Sequence, residues 1–433
     1  MKSSVLLLFN LLVVTIISHS QNITTQKLPA QWSLQDCFNY ALENNITLNS
    51  LRLNSSSAKQ DLAQSRNNQL PIVSGSVSQS LANNNNVNAS SNYSLSSSLV
   101  LFNGGYLRNN ISANELIVRS ALLSIEETAN DIRLSITQAF LNILLAQENI
   151  KTLQELLNTS DSQLIQGTIR YNAGRISRKD YLQFESQLAI DNYNLVNAKN
   201  AYRSNITSLK QLLQLPFSYD LVVAVPENIL PIENELVLDD AQKAAFAYRP
   251  EIKNKDIGIK LALVELEKAR ASGLPVVNLG AGMSSNFNST QSSKYFTQIG
   301  NSYYQSLGIS ASIPIFSRRA VRTNINKSRI AIEQARLDLE NTKTILIQKV
   351  EQAYINMLNA RAQFIAAGTR LKVAEETYHI TNEQLRLGAI TMVEVLLQKD
   401  LYVQALQAYL QAKYTAVLYN RIYRFYAGES IAF

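Results

Sequence analysis

The chain has 433 residues, 46% of them hydrophobic and 17% charged, with a formal net charge of +7. Charge is below the roughly one quarter usual for globular proteins, and Asn, Gln and Ser supply the polarity instead. A single cysteine, Cys37, and two histidines, His19 and His379, exclude an intrachain disulfide, a cysteine zinc cluster and a His-rich metal site. With no Gly-x-Ser-x-Gly elbow either, the chain reads as a non-enzyme without cofactors.

Residues 1–20 open with Lys2, continue through an apolar run from Val5 to Ile17, and close on Ser18-His19-Ser20. That is the order of a cleavable secretory signal, and the run is shorter than the roughly 20 residues a membrane helix needs. No later run reaches that length, so membrane helices are not expected. Export, with Lys and Arg dispersed along the chain, also argues against a nucleic-acid partner.

The mature chain is written twice. Leu70-Pro71-Ile72-Val73 returns as Leu274-Pro275-Val276-Val277, and Gln138-Ala139-Phe140-Leu141-Asn142 returns as Gln352-Ala353-Tyr354-Ile355-Asn356. The offset changes from 204 to 214, which places a ten-residue insertion between Val277 and Ile315. Two repeats are therefore predicted, 21–215 and 241–433, joined by a Pro-rich segment at 216–240. Cys37 falls on Ala241 of the second copy, which assigns it a small buried position.

Within each repeat a helix is expected first, then a β-hairpin (about 72–102 and 276–316), then a long helical hairpin. Val73, Val77 and Leu81 alternate with Ser74, Ser76, Ser78 and Ser80, and Leu307, Ile309 and Ala311 alternate with Ser306, Gly308 and Ser310. One apolar face and one small uncharged face, in strands of about ten residues, suit a membrane strand with a lipid side and a pore side. Tyr93, Phe287, Tyr303 and Tyr304 are the expected interfacial aromatics. Four strands cannot close a barrel, and open edges are not tolerated in lipid. Two chains would give eight strands and three would give twelve.

No proline lies between 105 and 215 or between 317 and 433. Ile132, Ile136, Ala139, Ile143, Ala146, Ile150, Leu153 and Leu157 step by four and three, and Leu346 to Leu371 repeat the pattern. That is a heptad seam, in helices of roughly 100 Å at 1.5 Å per residue, turning back near Gly174 and Gly388. His379 falls in the returning tract as a plain helix residue.

The doubled plan, Leu-Pro before each hairpin, Leu101-Phe102-Asn103-Gly104-Gly105 after the first, and Arg170-Tyr171-Asn172-Ala173-Gly174-Arg175-Ile176-Ser177 at the first turn together resemble the TolC-like outer-membrane efflux protein family. The resemblance covers nearly all of the mature chain. It implies a mainly α protein with a membrane β-barrel: a homotrimer sharing twelve strands, four per chain, continued by an α-helical tunnel through the periplasm of a Gram-negative bacterium. It also implies a passive exit duct of a tripartite efflux or type I secretion system, embedded in outer-membrane lipid. Its partners would be a periplasmic adaptor (membrane fusion) protein and an inner-membrane pump of RND or ABC type.

Carried over residue by residue, the resemblance assigns adaptor docking to the tip residues Arg170, Tyr171, Gly174, Ser177, Gly388 and Thr391. It assigns the entrance gate to Asp180 and Glu394. Where better-known members place a tyrosine and an arginine in the gate network this chain has Leu385 and Ile390, and where they have a second acid it has Leu397. Closure by apolar packing around Leu385 and Leu397 is the expectation. The competing reading is a soluble periplasmic coiled-coil binding or adaptor protein without a pore.

Overall fold

A computed structural model describes residues 29–84, 86–226 and 236–431. The expected signal segment, 1–20, lies outside the described residues. The first repeat runs through α1 (Leu34–Asn44), α2 (Ile46–Asn67), β1 (Ile72–Asn84), β2 (Asn86–Phe102), α3 (Tyr106–Asn172) and α4 (Arg178–Leu213). The second runs through α5 (Leu238–Tyr248), α6 (Pro250–Ala271), β3 (Val276–Asn288), α7 (Tyr295–Asn301), β4 (Tyr304–Ser312), α8 (Ala320–Arg386) and α9 (Met392–Tyr426). The doubling extends to element length. The helices α1 and α5 have 11 residues each, α2 and α6 have 22, and α3 and α8 have 67.

Two helices, not one, precede each hairpin, because the chain is re-capped between them. Ser33 and Asp36 close a capping box on α1. Asn45 ends that helix and at once caps α2, its Oδ1 accepting from the N–H groups of Thr47 (2.9 Å) and Leu48 (3.2 Å). In the second repeat Arg249 stands between the two helices, and Pro250 opens α6 at its first position, where a missing N–H costs nothing. The inserted stretch includes a short helix, α7, between the two strands of the second hairpin. β4 stops at Ser312 rather than continuing to 316, since Pro314 has no N–H to give the ladder.

The four strands form one antiparallel sheet in the order β1-β2-β3-β4. Val73 pairs with Ser97, Leu95 with Met283 and Ala281 with Leu307, so the two hairpins share one register and one pair of faces. A bulge between Val100 and Phe102 marks the exit from β2. No helix among the described residues is long and apolar enough to cross a membrane.

The largest core lies where α1 packs on α3 and α4 and these meet α9, around Trp32, Phe38, Ile136, Phe140, Leu209 and Val417. Trp32 anchors it: its backbone bridges Val222 and Ala224, and its indole N–H donates to the Tyr219 hydroxyl (3.0 Å). The joining segment is thereby stitched to the start of the chain, and α5 already begins at Leu238, inside the range read as linker. In the second repeat Ala241 and Ala245 of α5 pack on Leu346, Val350, Ala353 and Met357 of α8. Every residue of the predicted α3 seam is buried or partly buried, and Leu153 and Leu156 meet Leu195 and Ala198 of α4 further along the shaft.

Candidate functional site

The candidate functional surfaces are the sheet and the far ends of the long helices. On one face of the sheet stand Val73, Val77, Leu81, Leu307 and Ile309, each at least 63% exposed. Uncovered aliphatic side chains in a continuous patch mark a surface made for an apolar medium. On the other face serine hydroxyls pair across the strands: Ser74 with Ser96 (2.9 Å), Ser76 with Ser94 (2.7 Å) and Ser80 with Ser90 (2.8 Å). This second face is small, polar and uncharged, as an aqueous lining requires.

The expected aromatics divide between the faces. The Tyr93 hydroxyl meets that of Tyr295 on α7 at 2.5 Å, and Phe287 packs on the same Tyr295 ring at 4.7 Å. Tyr303 stands over Met283, its hydroxyl 3.5 Å from the sulfur. Those three share the apolar side. Tyr304 pairs with Ser284, and the register sets it on the serine face instead.

At the other end, α3 and α8 stop in the same way. Gly174 (φ 67°) and Gly388 (φ 77°) adopt the left-handed conformation that only glycine takes without strain. Beside them the Arg175 N–H donates to the Arg170 carbonyl (2.8 Å), and the Ala389 N–H to that of Gln384 (2.9 Å). The following caps differ. Ser177 and Asp180 form a complete capping box: Ser177 Oγ accepts from the Asp180 N–H (3.1 Å) and Asp180 Oδ2 accepts from the Ser177 N–H (3.3 Å). Thr391 accepts no capping bond, and its hydroxyl is 3.5 Å from Glu394 Oε1. Asp180 is thus held by its own helix start, whereas exposed Glu394 has no such box.

A groove of about 430 Å³ between the two turns is lined by Arg170, Asp180, Leu385, Gly388 and Thr391, among others. Five residues assigned separately to docking and gating therefore share one surface. Tyr171 lies on the first turn, stacked on Tyr181 at 5.2 Å with the Arg178 guanidinium 6.0 Å from its ring. The Tyr171 hydroxyl beside it raises the Arg178 pKa above its ordinary value. Leu385 packs with Phe184, Ile390, Met392 and Val395 in a small tip core, whereas Leu397 is 59% exposed. Leu385 helps to hold the hairpins to each other.

Two polar ties between the hairpins escaped the sequence reading. Lys399 of α9, 1% exposed, places Nζ 2.5 Å from Asp191 Oδ2 of α4 and 2.5 Å from Ser160 Oγ of α3. The Ser160 hydroxyl also donates to Asp191, and Gln187 Nε2 donates to its other oxygen (3.0 Å). Nearer the main core, Lys413 Nζ and the Tyr414 hydroxyl both reach Glu148 of α3, at 2.9 and 2.6 Å. Burial, then that carboxylate, pushes the Tyr414 phenol well above its ordinary pKa. Each partner is one charge in a long polar helix, so no spacing announces the pair. Among the described residues there is no cluster of His, Cys, Asp and Glu suited to a metal ion.

Comparison with known proteins agrees with this architecture. The family model described as "Outer membrane efflux protein" matches residues 38–214 and 242–420, one match per repeat. The outer membrane efflux protein BepC of Brucella suis is 20% identical over 413 residues, covering 94% of this chain and 88% of that protein. The outer membrane protein TolC of Escherichia coli is 23% identical over 295 residues, covering 66% of this chain and 59% of TolC. Among solved structures, CusC superposes with a TM-score of 0.79 at 17% identity, covering 95% of this chain and 96% of CusC. The CmeC outer membrane channel of Campylobacter jejuni gives a TM-score of 0.74 at 18% identity over 91% of this chain and 85% of CmeC. The soluble coiled-coil alternative is set aside by these matches. With both repeats matched, the chain belongs to the outer membrane efflux protein family, and it is an outer-membrane exit channel extending into the periplasm.

Proposed function

We propose that three copies of the chain close one twelve-stranded barrel and that the helical turns dock a periplasmic adaptor, which couples the duct to an inner-membrane pump. The observation that carries this reading is the open sheet: β1 and β4 are both edges, and the face they bound is apolar and uncovered. Unpaired backbone groups cannot remain in hydrocarbon. Pairing β4 of one copy with β1 of the next satisfies them, and threefold closure gives twelve strands around a serine-lined lumen.

The tip groove supports the docking half of the proposal. Arg170, Asp180, Gly388 and Thr391 give it charge and hydrogen-bonding groups at the end of both hairpins. Glu394, exposed and unboxed, would form a ring of three carboxylates under threefold symmetry and draw cations to the entrance; Asp180 contributes more weakly, because its oxygen also serves the cap. Relatives named for alkaline protease secretion and for toxin and drug export leave both polypeptides and small molecules as cargo classes. The test is the protein mass of the detergent-extracted complex, with detergent subtracted. Three chains are expected; two chains, or a monomer that needs no detergent, overturn the shared barrel.

A further inference from the structure

One turn is built from glycine in the first repeat and from arginine in the second. Where the sheet passes into the long helix, Gly104 and Gly105 adopt φ of 65° and 85°. At the equivalent positions Arg318 and Arg319 adopt φ of 47° and 69°. Left-handed backbone is disfavoured for any residue with a Cβ. At Gly104 the glycine is required by space as well, since a Cβ would lie 2.8 Å from Leu274. The second repeat keeps a turn that glycine would relax, and places two guanidinium groups on it.

The surroundings show what those charges meet. Arg322 follows in the first turn of α8, and all three arginines are exposed. Among the described residues none of them makes an ion pair. Between Glu267 and Glu333 the chain carries no acidic residue. Lys268 and Arg270 are different, because Glu265 and Glu267 neutralise them within α6. Just before the arginines, and just beyond the end of β4, Ile315 and Phe316 are 95% and 84% exposed. An uncovered isoleucine and phenylalanine followed by unpaired arginines is the order of groups met on leaving hydrocarbon for a phosphate layer.

We propose that Arg318, Arg319 and Arg322 form a binding site for the headgroups of anionic phospholipids at the periplasmic edge of the membrane sheet, the first two present in the second repeat only. Ile315 and Phe316 anchor in the acyl region while the three guanidinium groups hold phosphate oxygens by charge-assisted hydrogen bonds. The inference rests on the membrane placement of the sheet. In a trimer it gives three such sites around the barrel.

The experiment titrates the delipidated complex in detergent with phosphatidylglycerol or phosphatidylcholine and counts retained lipids by native mass spectrometry. Phosphatidylglycerol is expected to be retained about tenfold better. The double variant Arg318→Gly, Arg319→Gly, which copies the first repeat, is expected to lose most of that preference without a lower melting temperature. Equal retention of both lipids by the unaltered protein overturns the proposal, as does an unchanged preference in the variant. A variant with unchanged lipid preference but altered anion permeability would put the arginines in the duct, and also overturns it. A chain that needs no detergent would instead sink the membrane placement, an outcome distinct from the others.

Discussion

Lys399 of α9 is buried against Asp191 of α4, with 2.5 Å between Nζ and Oδ2, and it ties the second helical hairpin to the first inside the shaft. Breaking such a pair leaves a charge with no partner in low dielectric, which costs about 3–5 kcal/mol, while replacing both members together costs far less. Lys399→Met and Asp191→Asn are therefore each expected to destabilise the folded protein strongly, and the double variant much less than their sum. Chemical unfolding in detergent measures all three; additive losses would mean that the two side chains are not coupled.

The two tip turns are expected to respond unequally to loss of their caps. Ser177 completes a reciprocal box with Asp180, whereas Thr391 accepts no side-chain capping bond. Ser177→Ala should cost about 1 kcal/mol and Thr391→Ala only a few tenths. Amide exchange at residues 177–181 and 391–395 reads the difference locally. Equal loss of protection at both turns would contradict the asymmetry.

The faces of the sheet give a paired prediction. Leu307 stands on the apolar side and Ser310 on the opposite one. An arginine facing lipid near the midplane costs about 2–4 kcal/mol, so Leu307→Arg should reduce the amount of assembled complex recovered from membranes. Ser310→Arg should assemble normally and change single-channel conductance. The reverse pattern would exchange lumen and lipid.

Cys37 is fully buried in the main core, and burial, reinforced by Asp36, pushes its thiol up to about 12. At pH 8 the reactive thiolate is then roughly one part in ten thousand. Maleimide should leave the folded protein unlabelled and react fully after denaturation. Prompt labelling of the native protein would place Cys37 outside the core.

The sequence by itself determined the architecture wherever a periodic signal was available. Duplication at a constant offset, proline-free tracts with a heptad seam, and strict alternation in the strands each encode an element through repetition, and Gly174 and Gly388 encode its reversal through their lack of a Cβ. Tertiary structure decided what depends on contacts between distant single residues. Ser160, Asp191 and Lys399 are unremarkable on their own helices and become a buried cluster only when three helices meet. Leu385 and Leu397 look alike in the sequence, yet one is held in the tip core and the other left exposed, because helical phase against a neighbouring hairpin sets burial. Likewise adjacent Tyr303 and Tyr304 fall on opposite faces once the strand register is set, since a step of one residue in a strand reverses the side chain.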